Sequence, residues 1–428
     1  MLCLSLSFLS IAQTDSVWSY HYQTTVISQS HAGFYSMYSG KNSLADSVEI
    51  GATTLTSTMF IGRKITPTLS FFLNPEVAGG EALSSASGVA GALNGESFRV
   101  GNPSPQIYIA RAYIQKTFPL SSEIIRIDDD QNQISHNVSS RRMNFYCGKF
   151  SLGDFHDNSQ FSHDPRGQFF NWALMDNGTW DYAANTRGYT FGTVIEYIDP
   201  EVAIKLSTAA EPGSANSSNL EYSKRVHAET FEIEKNIAKG KISVLLYHNF
   251  SRTISYEDGI LALKNQDSST LNIFTGDSKN NHIKGEKWGI GLNLEKNLTD
   301  DIGVFSRIGW NDGKYASWTF TEIDKTATIG ISVSGLRWKR HEDVAALAIA
   351  INGISDVHRE FLKRGGYGFI IGDGNLDYST EQILETYYNI KVASNFNFTL
   401  DYQFIRNPGY NSNRGPVHVF GLRGHLTL

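Results

Sequence analysis

The stretch NFNFTLDYQFIR, residues 395–406, decides the fold. Phe396, Phe398, Leu400, Tyr402 and Phe404 fall on one face of an extended chain, and Asn397, Thr399, Asp401 and Gln403 on the other. Successive strand side chains point to opposite faces, so this segment is a strand with one oily side and one wet side. The C-terminal segment repeats the pattern, setting Phe420, Leu422, Leu426 and Leu428 against Arg423, His425 and Thr427. Residues 287–298 do the same, with Trp288, Ile290, Leu292 and Leu294 opposite Asn293 and Glu295. Working outward, sixteen such segments cover the chain. Those near 142–152 and 222–235 alternate least cleanly.

The connections alternate as well. Tight ones fall at 65, 198–200, 236–239, 298–301, 339–342 and 394. Long ones fall at 29–51, 78–105, 153–186, 210–221, 251–286, 313–324, 355–382 and 407–416. Only 119–141 breaks the rule, being long where a short turn is expected. The pattern describes an all-β protein: an antiparallel transmembrane β-barrel of about sixteen strands, with short periplasmic turns and long extracellular loops. In hydrocarbon every backbone N–H and C=O must be paired, and a closed barrel has no open edge. Trp18, Tyr20, Trp288, Trp310, Trp338 and Phe396 sit near strand ends, where interfacial aromatic girdles belong. A soluble sandwich or propeller would also alternate, but a propeller repeats internally and this chain does not. One departure is the final residue, Leu428, where outer-membrane barrels usually end in an aromatic.

Composition agrees. The 428 residues include 38 Gly, 12% aromatics and only 19% charged residues, which argues against disorder and against a helix-rich enzyme. No run after the N-terminus approaches the ~18 apolar residues that a spanning helix needs. Net charge is −6, with no basic stripe, so no nucleic-acid partner is expected. Residues 1–12, MLCLSLSFLSIA, read as the apolar core of a secretory signal, with Ser10 and Ala12 at the cleavage site and Gln13 as the mature start. The usual basic segment is missing, since the first Lys is Lys41, so the start is read as truncated. Residues 13–428 then form a single barrel domain. With Cys3 removed, Cys147 is left alone and no intrachain disulfide can form.

Beyond alternation, longer segments carry a likeness. NPEVAGG (74–80), NGESFRVGNPSP (94–105) and GKFSLGDFHDNSQFSHDPRGQFFNWALMDNGTWDYAANTRGYTFG (148–192) are the first three. IGWNDGK (308–314), TEIDKTATIGIS (321–332) and LDYQFIRNPGYNSNRGPVHVFGLRGH (400–425) complete the set. In these the chain resembles the carbohydrate-selective porin family of Gram-negative outer membranes, the OprB type. The resemblance implies a sixteen-stranded outer-membrane channel for sugars or similar small solutes. Some relatives are labelled manganese porins, so the solute does not follow from membership. Homotrimers are common among porins, and the lipid bilayer is the remaining expected partner.

A porin selects by pore size, lining hydrogen bonds and charge. Candidate lining residues on inward strand positions are Arg111, Glu295, Arg307, Asp401 and Arg423, with Glu196 and Lys205 also inward. Mixed charges and amides suit neutral polyhydroxyl solutes. The loop 153–186 is long enough to enter the lumen as a constriction. It brings Trp172, Trp180 and Tyr182 beside Asp154, Asp157, Arg166 and Asp181, with Arg187 just beyond. Aromatic faces against sugar C–H groups, flanked by carboxylates and Arg, are a physical solution for carbohydrate binding. The competing reading is a loop packed on its own aromatics and ion pairs.

No cofactor is expected, the one open case being a divalent metal on His156, His163 and Asp164, whose ligand types suit manganese. Asp373, Asn375 and Asp377 imitate the start of a calcium loop, but Tyr378 replaces the required Gly. Asp128, Asp129 and Asp130 in the anomalous turn are read as solvated or facing peptidoglycan. Asp154 and Asp157 could be posed as a glycosidase pair, yet chance pairs are expected in so acidic a loop. Nucleophile-elbow, HExxH and P-loop patterns are absent from the sequence, and the chain is not read as an enzyme. The alternatives to a sugar porin are a manganese porin on the same barrel and a plugged receptor that binds glycans without conducting.

Overall fold

The structure is a computed structural model that describes residues 16–100, 103–276 and 284–428, with no side chains described for 98–100. The signal segment 1–12 and Gln13 lie outside the described residues. Sixteen antiparallel strands close into a barrel in simple up-and-down order. The first eight are β1 (Trp18–His31), β2 (Glu49–Thr66), β3 (Leu69–Gly80), β4 (Gln106–Pro119), β5 (Arg142–Phe150), β6 (Thr190–Ile198), β7 (Val202–Ala209) and β8 (His227–Ile237). The rest are β9 (Gly240–Ser251), β10 (Gly285–Asn297), β11 (Ile302–Asn311), β12 (Lys325–Ser334), β13 (Val344–Gly353), β14 (Glu381–Ala393), β15 (Phe396–Arg406) and β16 (Val417–Thr427). β1 pairs with β16 from Gln23↔Thr427 to His31↔Val419, which seals the ring.

The strand phase follows from the residues. On β15, Leu400 is 47% exposed on the outer face, whereas Thr399, Asp401 and Gln403 are buried on the lumen side. The outer face carries an apolar band and aromatics near both rims. Trp18 stacks on Tyr20 at 5.6 Å at one rim, and Trp288 meets Trp310 edge-on at 4.9 Å at the other. Among the described residues no helix is long and apolar enough to cross a membrane. The spanning is done by strands.

The two poorly alternating segments are both strands, and each has a local reason. β5 turns Tyr146 inward, where it packs on Phe155 at 4.7 Å. β8 places Glu229 outward beside Phe231 and Ile233, while Glu232 is buried on the lumen side. Two boundaries move most: the segment expected from 222 enters the ladder only at His227, and the one expected to reach the turn at 339–342 leaves it at Gly335. A 3₁₀ turn over Gly335–Trp338 ends in Lys339 at φ 63°, so Trp338 belongs to a turn.

The extracellular connections do not stand away from the barrel. Helices over Tyr256–Asn265, Ser268–Phe274 and Asp356–Lys363 pack together through Tyr256, Phe274 and Phe361. Tyr256 also stacks on His358 at 4.0 Å, and His358 Nδ1 lies 3.0 Å from Asp324. The residues posed as a calcium loop are staples between loops. Asp373 accepts from Tyr38 Oη at 3.1 Å and from Asn411 Nδ2, and Asp377 accepts from Ser412 Oγ at 2.9 Å.

The wall chemistry sets a prediction. Leu400→Arg puts a charge on the lipid face and should weaken assembly by about 2–4 kcal/mol if its level is the bilayer midplane. Asp401→Asn, one residue along and facing the lumen, should assemble normally. Heat-modifiability on gels after refolding into lipid reads both, and the reverse ranking would mean that the strand phase is wrong.

Candidate functional site

The lumen is occupied by loop 151–189, which leaves β5 and returns to β6. Its course follows from local chemistry. Ser151 N–H donates to the Asp154 carboxylate at 3.0 Å, turning the chain inward. Asn171 caps a single helical turn, Trp172–Met175, by accepting from Ala173 N–H at 3.0 Å. A loop buried inside a barrel carries backbone groups that water no longer reaches, and each must find a partner.

The inward strand residues are those partners. Arg307 (β11) donates to the Leu174 carbonyl at 2.9 Å and the Met175 carbonyl at 3.2 Å, and pairs with Asp157 at 3.0 Å. Lys205 (β7) donates to the Phe155 carbonyl at 2.6 Å, and Glu295 (β10) accepts from Gln160 N–H at 2.9 Å. Glu385 (β14) accepts from the N–H groups of Phe170 and Asn171. Arg423 (β16) holds the carbonyls of Pro165 and Gln168 at 2.7 and 2.6 Å. Fixed charges on the wall thus hold the loop backbone on many sides. Charged hydrogen bonds of this kind are roughly twice as strong as neutral ones.

The structure divides the residues expected at the site. Trp172 and Trp180 are each 1% exposed. Trp172 stacks on Phe320 at 4.5 Å, and Trp180 meets Tyr182 at 4.8 Å, so neither indole offers a solute an open face. They form the hydrophobic core of the loop. Asp181 is also structural, accepting the N–H groups of Trp318, Thr319 and Phe320 at 2.6, 2.9 and 3.1 Å. Glu295, Arg307 and Arg423 are the backbone anchors just described, and Asp157 lies buried against Arg307. Asp401 is buried beside Gln403, its neighbour at 3.4 Å. Arg187 lies over the Tyr108 ring at 4.0 Å, on the outer part of the wall.

The three residues posed as metal ligands do not converge. His156 is fully buried, with Nε2 at 3.0 Å from Ser207 Oγ and Nδ1 at 3.5 Å from Glu232. His163 lies instead against Asp176, at 3.4 Å. Asp164 is turned to its own loop, where its Oδ1 accepts from Arg166 N–H at 2.9 Å. Among the described residues no group of three or more His, Cys, Asp or Glu is arranged to hold a metal ion.

The structure does bring Arg111, Asp154, His163, Asp164, Arg166 and Tyr182 together, around a cavity of about 470 Å³ between the loop and the wall of β4–β6. Tyr113, Gln115, Arg142, Asn144, Tyr146 and Glu196 complete that wall. Arg111 grips Asp154 with two donors, one of them Nε at 2.7 Å. Burial works against charge on His163, yet Asp176 holds its imidazole above the usual range. Three guanidinium groups face four carboxylates here, so neither sign prevails.

Two important residues went unread in the sequence. Glu76 is 1% exposed and accepts from Thr58 Oγ1 at 2.6 Å, Tyr189 Oη at 3.0 Å and Arg166 Nη2 at 3.1 Å. Glu96 takes Arg166 Nε at 3.1 Å, which ties a second inward segment, 81–97, to the first. β3 keeps its period through Phe72, Asn74, Glu76 and Ala78, all buried on the lumen side, but Phe72 and Ala78 are apolar there, which blurs the polarity contrast that would have marked Glu76.

The model of the carbohydrate-selective porin, OprB family, matches residues 62–428. Among solved structures, the high-pH structure of Pseudomonas putida OprB is similar, with a TM-score of 0.65 and 13% identity, covering 96% of this chain and 94% of that one. The outer-membrane channel DcaP of Acinetobacter baumannii is also similar, with a TM-score of 0.53 and 10% identity, covering 96% and 97% of the two chains. At such identities the likeness speaks for the fold. No curated protein matches the chain.

Arg307 offers the direct test of the anchoring. Arg307→Ala leaves Asp157 buried without its cation and takes a donor from the carbonyls of Ser162, Leu174 and Met175, at a cost of about 3–5 kcal/mol. The expected outcome is a folded barrel with a larger, noisier single-channel conductance and a loop 151–189 newly open to protease. An unchanged conductance would show that Arg307 is dispensable for holding the loop.

Proposed function

The chain belongs to the carbohydrate-selective porin, OprB family, and from that premise we infer that solute crosses by way of the 470 Å³ cavity, with loop 151–189 as the constriction. The protein is a porin of the Gram-negative outer membrane that gives passive, selective diffusion to carbohydrates. Its family and fold are those of channels, and we read it as having no catalytic role.

The observation that carries the inference is the cavity lining. Arg111, Arg142 and Arg166 stand among Asp154, Asp164, Asp176 and Glu196, with amides and phenols between them. Sugar hydroxyls both donate and accept, so a wall alternating donors and acceptors can replace their water shell without favouring an ion of either sign. A channel for a strongly charged solute would instead set a ring of one sign at its narrowest point. In this reading Arg111, Asp154 and Arg166 contact solute, Tyr182 closes the wall behind them, and Arg307, Glu385 and Arg423 position the loop. Manganese conduction has no comparable support, because the histidines and carboxylates face different partners.

The test is the single-channel conductance of the refolded mature chain in a planar bilayer, titrated with mono- and disaccharides and then with manganese. Saturable block by sugars is the expected outcome. Arg111→Lys keeps the charge but loses the planar fork, and should weaken the block about tenfold, close to the value of one charge-assisted hydrogen bond. A barrel that inserts but stays silent would point to a plugged glycan receptor, and block by manganese alone to a metal porin.

A further inference from the structure

The anomalous turn 120–141 keeps its acidic run, Asp128, Asp129 and Asp130, exposed as expected, but it is more than a solvated excursion. It folds as a β-hairpin, Ile124–Ile127 against His136–Ser139, and its tip turns back into the barrel. Three successive inward positions of β1 receive it. Ser19 Oγ donates to the Gln133 carbonyl at 3.5 Å, His21 Nε2 lies 3.0 Å from Asp129, and Gln131 Nε2 donates to Gln23 Oε1 at 3.1 Å. The step from Ser19 to Gln23 carries the tip roughly 10 Å inside the periplasmic rim, at ~3.3 Å per residue along a tilted strand. Ile134, 2% exposed, packs on the inner wall at Gly62. A Cβ on Gly62 would meet Ile134 Cγ1 at 3.0 Å and Phe72 at 3.1 Å, so the wall is small where the hairpin presses on it.

The hairpin leaves the barrel between β4 and β5 and docks on β1 and β2, so it crosses the periplasmic mouth along that side. There it becomes the floor of the cavity. Gln131, Gln133 and His136 face the same space that Arg111, Asp154 and Arg166 line from above and from the side. Such a volume falls within the ~300–1,000 Å³ typical of small-ligand sites.

We propose that the hairpin 120–141 is a second selective section of the pore, closing the periplasmic side of a chamber that holds one small polyhydroxyl solute between two constrictions. The proposal rests on the cavity being the solute path. It assigns to Gln131, Gln133 and His136 the role of specificity-determining residues, offering amide and imidazole groups to hydroxyls at the exit. It also gives the acidic run a place: Asp129 is a docking residue for His21.

The hairpin can be removed cleanly on paper, because Leu120 N–H and the Arg141 carbonyl pair across its base at 2.9 Å. Replacing 121–140 with Asn-Gly provides the favoured two-residue turn. In the full barrel this should raise single-channel ion conductance at least twofold and let trisaccharides enter liposomes that the parent barrel closes to them. Equal conductance and an equal size limit would overturn the proposal. A second variant needs no deletion: Gln133→Cys in a Cys147→Ser background, treated with thiol reagents of increasing size. Sugar entry should fall stepwise with reagent size, and unaltered entry in the labelled barrel would overturn the proposal as well. If the parent barrel passes ions but no sugar, the sugar-path reading fails, while the ion conductance of both variants still decides the role of the hairpin.

Discussion

Everything in this molecule descends from one constraint: a backbone that crosses lipid must pair all its own polar groups. With strands, the solution is a closed ring, and here the ring takes sixteen of them. A ring of that size encloses more space than side chains can fill. Segments 81–97 and 151–189 fold back into that space, and the same constraint then applies to them. The peptide groups of 151–189, cut off from water, are met by Arg307, Lys205, Glu295, Glu385 and Arg423 on the wall, and those of Ala90 and Leu93 by Glu381, Gln29 and Gln403. The charges that look like pore chemistry in the alternating strands are in large part the answer to a backbone problem.

That explains which parts of the molecule were legible in the sequence. Alternation in NFNFTLDYQFIR reports a lipid face and a lumen face, because each has a different solvent, and the strands were readable from it. What an inward residue meets is another matter. Arg111 and Arg307 occupy the same kind of position, yet one lines the cavity and the other is buried under the loop. Only the path of the loop separates them, and period two carries no information about it. Trp172 and Trp180 mislead for a related reason. An aromatic in a polar loop suits a sugar platform and a miniature core equally well, and here Phe320 and Tyr182 supply the core. Glu76 escapes for another reason, since its inward neighbours Phe72 and Ala78 are apolar and period two there separates no polar face from an apolar one.

The extracellular face follows the same economy. Tyr256, Phe274, His358 and Phe361 form an apolar knot between helices that lie far apart in sequence. Asp324 sits beneath it against His358 at the start of β12. Among the described residues, the segments 256–274 and 356–363 are therefore packed against one another and against the wall. Selectivity in such a channel is a property of that packing as much as of any single lining residue.

The seam between β1 and β16 carries a consequence for biogenesis. Thr25 and His425, bonded across it at 2.8 Å, are 400 residues apart. Bringing chain ends so distant together costs about 5 kcal/mol in configurational entropy from the logarithmic part alone. The strand that completes the ring is also the last of the sixteen in chain order, so the edge of β1 stays unpaired until that strand has been made and delivered. An unpaired edge is a template for aggregation. A cell making this protein must shield one edge strand throughout delivery and supply the closing partner at the membrane, which makes the seam the step at which assembly is committed.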